Sequence, residues 1–129
     1  MTVVDITADN FRDSIEGSQI VLIDCWAPWC GACKDFASVF ETVADRHPEH
    51  TFGKLDTESN AKLVEALGIS HIPTLVLYRD GIMLFNQRGY LDEEPLDDIV
   101  RQAESLDMNE VRAHLAKKDG DSNRAEQPL

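Results

Sequence analysis

The segment Trp26-Ala27-Pro28-Trp29-Cys30-Gly31-Ala32-Cys33-Lys34 sets two cysteines one helical turn apart, directly after an apolar, β-branched run, and this limits what can surround them. Ile20-Val21-Leu22-Ile23-Asp24-Cys25-Trp26 reads as a buried strand, while apolar residues from Lys34 to Arg46 recur at helical spacing. Cys30 therefore falls at a strand-to-helix junction. Unpaired N–H groups and the macrodipole at a helix N-terminus favour an anion, so a thiol placed there ionises more readily than a free one. That makes Cys30 the candidate nucleophile. Cys33, one turn further on, is less exposed but close enough to form a disulfide after a first attack, and is the candidate resolving thiol.

A chain of 129 residues with 43% hydrophobic content suits one domain with a core of its own. The formal net charge of −12, with no local basic patch, argues against nucleic acid or an anionic membrane as partner. Met1-Thr2-Val3-Val4-Asp5-Ile6 has no basic n-region and no continuous apolar stretch, and no later run reaches the roughly 18 apolar residues of a bilayer span. The expected location is the cytoplasm. Three cysteines in a reducing compartment do not suggest a structural disulfide framework, and a C-x-x-C beside strand and helix signals favours redox chemistry.

Further elements follow from pattern. Val3 to Thr7 predicts a short strand and Asp9 to Glu16 a helix ended by Gly17. Phe36, Ala37, Val39, Phe40, Val43 and Ala44 give the helix after Cys33 an apolar stripe that stops near His47-Pro48. Thr51 to Asp56 predicts a strand and Asn60 to Leu67 a short helix closed by Gly68. Thr74 to Arg79 and Met83 to Arg88 flank Asp80-Gly81, a hairpin dipeptide, and Glu93 to Glu104 is amphipathic. The order βαβ then αββα predicts an α/β fold, a mixed central sheet with helices on both faces. Residues 1–106 form the expected domain and residues 107–118 an appended helix with Met108, Val111 and Leu115 on one side. Residues 119–129, poor in apolar side chains, form an expected disordered tail.

Four features beyond the cysteines sharpen the reading. Asp24 lies six residues before Cys30, within the apolar run. Lys54 stands in Phe52-Gly53-Lys54-Leu55-Asp56, Ile72-Pro73-Thr74 precedes a strand, and Gly89 follows the hairpin. With these residues the chain resembles the thioredoxin family from about Val3 to about Glu104. The resemblance implies the thioredoxin fold, a cis peptide bond at Pro73, and reduction of protein disulfides through a Cys30–Cys33 mixed-disulfide mechanism. It implies Asp24 as acceptor of the Cys33 proton, tuned by Lys54, and a substrate surface of Trp29, Gly31, Ala32, His71, Ile72, Thr74 and Gly89. Partners would be disulfide-containing proteins and a thioredoxin reductase or other dithiol donor. No cofactor beyond the redox-active disulfide, no metal and a monomeric state are expected. A carboxylate among Val21-Leu22-Ile23 is costly unless used or paired; burial raises its pKa and Lys54 lowers it, so the net direction is open here. The alternative from another class is a thioredoxin-fold binding or holdase-like module in which the dithiol is secondary.

Strand alternation turns Cys25 away from Asp24, as a small buried hydrophobe. A zinc site on Cys30, Cys33 and a histidine such as His71 or His114 lacks a second C-x-x-C or an H-x₃-H pair to complete it. Two positions depart from the family pattern. His71 stands where a small residue is common, and a cation there would favour the Cys30 thiolate. Ala32 replaces the usual proline between glycine and cysteine, which relaxes the turn. The expected reduction potential is therefore higher than the roughly −270 mV of thioredoxin; equilibration against glutathione, read by Trp26 and Trp29 fluorescence, would contradict this with a value at or below that figure.

Overall fold

Strand alternation sorts the apolar residues onto the two faces of one sheet. The computed structural model describes residues 3–17 and 20–126, with side chains through residue 117. Its elements are β1 (Val3–Ile6), α1 (Phe11–Gly17), β2 (Ile20–Trp26), α2 (Gly31–Arg46), β3 (Thr51–Asp56), α3 (Ala61–Ala66), β4 (Thr74–Arg79), β5 (Ile82–Arg88), α4 (Glu93–Ser105) and α5 (Met108–Glu126). The five strands are ordered β1-β3-β2-β4-β5. β1, β3 and β2 are parallel, and β4 and β5 continue the sheet antiparallel. Central β2 is covered on both faces, which is why its sequence is a continuous apolar run.

On one face Ile20 and Leu22 of β2, Phe52 of β3 and Leu75 and Leu77 of β4 pack under α2 and α4, against Phe36, Phe40, Val43, Leu96 and Val100. On the other, Val21, Ile23 and Cys25 join Ile6, Leu55, Val76 and Tyr78, closed over by Phe11 and Ile15 of α1 and Leu63 and Val64 of α3. Cys25 is fully buried on this second face, and burial, with a smaller push from Asp24, raises its thiol to about 12, so it is inert as a nucleophile. β1 can lie against β3 only because residue 53 is glycine: a Cβ there would stand 2.4 Å from Ile6 Cγ1.

The hairpin turns through Asp80 and Gly81, at φ 54° and 78°, the pair of left-handed residues that a two-residue turn requires. Just before it, Arg79 Nη1 donates to the carbonyls of Ala103 at 2.6 Å and Leu106 at 2.9 Å, closing the end of α4 with a cation. Asp107 Oδ1 accepts from the Asn109 and Glu110 N–H groups at 2.9 and 3.3 Å and so starts α5. Met108 is buried, and Arg112 reaches Asp80 at 3.4 Å, so α5 is tied to the hairpin.

The last helix is longer than its sequence suggests. It was expected to stop at Lys118 and instead runs to Glu126. Gly120, Ser122 and Asn123 lower helix propensity, but each keeps its backbone donor, and the one residue that would break the ladder comes only at Pro128. Residues 127–129 of the expected tail lie outside the described residues.

Candidate dithiol active site

β2 delivers the site at its C-terminal end, where the chain leaves the sheet at Trp26, turns through Ala27-Pro28-Trp29 and enters α2 at Gly31. Cys30 N–H donates to Ala27 O at 3.1 Å, which closes the turn. Cys30 is the N-cap of α2 in extended backbone, and its Sγ accepts from the Cys33 N–H at 3.2 Å. That sulfur thus takes the place of an oxygen cap, receiving one of the helix's unpaired donors and the positive end of its dipole. Cys30 and Cys33 form a disulfide with Cα atoms 5.2 Å apart, within the ordinary span. Cys30 is the more open of the two, 7% exposed against 2%.

Asp24 of the same strand is 3% exposed, on the β2 face that also carries Leu22. The balance left open by the sequence resolves upward: burial pushes its carboxyl up to about 7, against a smaller lowering by the Lys54 ammonium. Lys54 is the register partner of Asp24 on β3 and is itself exposed, with Nζ 5.6 Å from the centre of the Trp26 ring. Asp24 Oδ1 and Trp26 Nε1 are both buried without a hydrogen-bond partner among the described residues.

The second wall comes from the segment before β4. The Ile72–Pro73 bond is cis, Pro73 is buried, and Ile72 packs with Ala27, Cys30 and Cys33. Thr74 Oγ1 donates to His71 O at 2.5 Å, and Gly89 N–H donates to Pro73 O at 2.8 Å. Gly89 sits at φ 92°, a left-handed conformation, and carries no side chain into the open space beside it. Gly31 and Ala32 are exposed at the start of α2. His71 is exposed too, its Nδ1 2.9 Å from Ser70 Oγ and 3.3 Å from Arg88 Nη1. Trp29, 69% exposed, borders an open groove that His71 and Ile72 also line.

Two side chains at the site went unread in the sequence. Glu58 Oε1 accepts from Trp29 Nε1 at 2.5 Å and holds the indole in place. Its loop is anchored in turn, with Thr57 N–H on Trp26 O at 2.9 Å and Glu58 N–H on Asp56 Oδ1 at 2.9 Å. One acid among 24 acidic residues gives no sign of this role. Arg88 is the other, and here a signal existed: hairpin register sets it opposite Thr74, beside the Pro73 segment.

Three comparisons bear on this geometry. The thioredoxin family profile matches residues 2–103. A Streptomyces coelicolor protein that carries the name thioredoxin 2 is 45% identical over 115 residues, which span 89% of this chain and 86% of that one. The thioredoxin of Chlamydia muridarum is 39% identical over 74% of this chain and 92% of its own. Among solved structures, a mutant thioredoxin of Halobacterium salinarum superposes with a TM-score of 0.76 at 30% identity, covering 81% of this chain and 93% of that one.

The raised Asp24 carboxyl has a consequence for stability. The folded chain holds this proton up to about pH 7, while the unfolded chain releases it near 3.8, so stability falls as pH rises across that window. Asp24→Asn removes the term. With the disulfide intact, urea unfolding of the variant is expected to match the parent near pH 4 and to exceed it above pH 7, by up to about 4 kcal/mol. Parallel stability curves for the two proteins between pH 4 and 8 would contradict the burial of an ionisable Asp24.

Proposed function

The chain belongs to the thioredoxin family, and on that footing we propose how its own residues carry out the exchange. It is a thiol-disulfide oxidoreductase that reduces protein disulfides through a Cys30–Cys33 pair. Its substrates are disulfide-bearing proteins in general, and a dithiol donor returns it to the reduced state. Reduced Cys30 attacks one substrate sulfur as a thiolate. The substrate S–S bond breaks, its second sulfur leaves as a thiolate and takes a proton from solvent, and Cys30 stays joined to the first. Cys33 gives its proton to Asp24 and attacks Cys30 Sγ. The remaining substrate thiolate departs, and the Cys30–Cys33 disulfide is left.

The observation that carries this reading is the cap. Cys30 Sγ accepts the Cys33 N–H at the positive end of a 16-residue helix, where negative charge on sulfur is stabilised. Asp24 suits the second step because an acid titrating near 7 is a competent acceptor at neutral pH, and Lys54 keeps it from rising further. Trp29, Gly31, Ala32, Ile72 and Gly89 serve as the docking surface, while Thr74, expected there, is 1% exposed and instead holds the segment before β4 through its bond to His71 O. On that surface an extended substrate segment pairs with the main chain of Ile72 in the manner of an added strand. Arg88, with His71 beside it, supplies positive charge at the rim.

The exchange itself needs no bound cofactor, since its two electrons enter and leave through the sulfur pair. The protein acts as a monomer in the cytoplasm; among the described residues no helix is long and apolar enough to cross a membrane. Reduction of insulin by dithiothreitol tests the roles directly. Cys30→Ser is expected to fall to the uncatalysed rate, while Cys33→Ser loses turnover but accumulates a mixed disulfide at Cys30, visible by mass spectrometry. Catalysis surviving in Cys30→Ser, or adducts forming at Cys33 instead, would overturn the assignment.

A further inference from the structure

The far end of α2 carries side chains that the dithiol chemistry does not use. His47 caps the helix C-terminus, Glu49 and His50 follow within three residues, and Glu104 near the end of α4 faces them. One ligand atom from each of these four lies within 4.8 Å of all the others. The two imidazoles stack, with centroids 6.0 Å apart and planes 20° apart, and are largely shielded, at 13% and 7% side-chain exposure. At 1.5 Å of rise per residue the group lies about 24 Å along α2 from Cys30.

A fifth residue gives the group its direction. His47 Nε2–H donates to Asp97 Oδ1 at 2.5 Å, and Asp97 Oδ2 is held by Arg101 at 3.5 Å. A carboxylate only accepts, so Nε2 of His47 is the nitrogen committed to Asp97, and Nδ1, the nitrogen left for a ligand, lies 3.8 Å from Glu49 Oε1. An outer carboxylate on the far nitrogen of a histidine is how ligating imidazoles are oriented and made more basic. We infer that His47, Glu49, His50 and Glu104 form a site for a divalent transition metal of zinc's class, clipping the end of α2 to the end of α4.

Two imidazoles and two carboxylates are a donor set that such ions take, and four suits tetrahedral zinc. With bonds of about 2.0–2.2 Å, tetrahedral ligand atoms stand roughly 3.3–3.5 Å apart. The His47–Glu49 separation of 3.8 Å is close to that. His50 Nε2 and Glu104 Oε2, hydrogen bonded at 2.7 Å, open slightly as a metal replaces the proton between them. Glu49 and Glu104 are exposed and have the side-chain freedom to close the longer gaps. Without metal these contacts still link α2 to α4 as hydrogen bonds. What sets the group apart is Asp97, outside the four, which engages Nε2 of His47 and leaves Nδ1 on the side of Glu49. The sequence hid the site, because His47-Pro48-Glu49-His50 is an H-x₂-H and its fourth ligand comes from 54 residues beyond His50.

The test uses the full chain with its disulfide intact, so that Cys30 and Cys33 cannot bind metal. Calorimetric titration with Zn²⁺ is expected to show one equivalent bound, and the melting midpoint to rise. Co²⁺ should give tetrahedral visible bands without a thiolate charge-transfer band. Glu104→Gln and His50→Gln should each weaken Zn²⁺ at least tenfold, and Asp97→Asn about 10–100-fold, with unchanged circular dichroism in the absence of metal. Glu104 is exposed, so its variant tests the site without disturbing the core. Absence of binding by the oxidised chain would overturn the inference, as would binding that Glu104→Gln and Asp97→Asn weaken less than tenfold.

Discussion

The rest of the molecule depends on the docking of α2 against one face of the sheet. Phe36, Phe40, Val43 and Ala44 are buried among Leu22, Phe52 and Leu77, and each of the first three side chains contributes about 1.5–3 kcal/mol when removed from water. That apolar contact fixes the helix along its length and therefore fixes both of its ends. At one end the fixed axis aims the unpaired N–H groups and dipole at Cys30 Sγ. At the other it brings His47 to Asp97 of α4 and His50 to Glu104. The dithiol end adds only a small apolar cluster of Ala27, Cys30, Cys33 and Ile72 to the packing between them.

Charge is distributed to match. The chain carries a net −12, yet the described residues around the dithiol include Lys54 on β3 and the His71–Arg88 pair, all exposed. Asp24, buried in β2, is shielded enough to keep its proton to about pH 7.

Much of this was legible because the local signals agreed. The change from a β-branched run to helical periodicity placed Cys30 at the start of a helix. Alternation put Cys25 and Asp24 on opposite faces, and Asp80-Gly81 marked the hairpin. The cis bond before Pro73 was carried by resemblance alone, since nothing local distinguishes that proline. What stayed hidden depends on partners distant in sequence. Trp29 meets Glu58, 29 residues on, and His47 meets Asp97, 50 residues on. The Asp24 balance required a burial depth that a sequence does not give. The extent of α5 beyond Lys118 has no apolar periodicity to mark it, and no proline interrupts its backbone ladder before Pro128.

The central claim is that a helix N-terminus makes Cys30 the ionised thiol of the pair. The direct measurement is the pH dependence of alkylation of the reduced protein by iodoacetamide, with the modified cysteine identified by mass spectrometry. The account predicts that Cys30 reacts first, with a midpoint clearly below the roughly 8.5 of an ordinary cysteine. A midpoint at or above that value, or first reaction at Cys33, would contradict it.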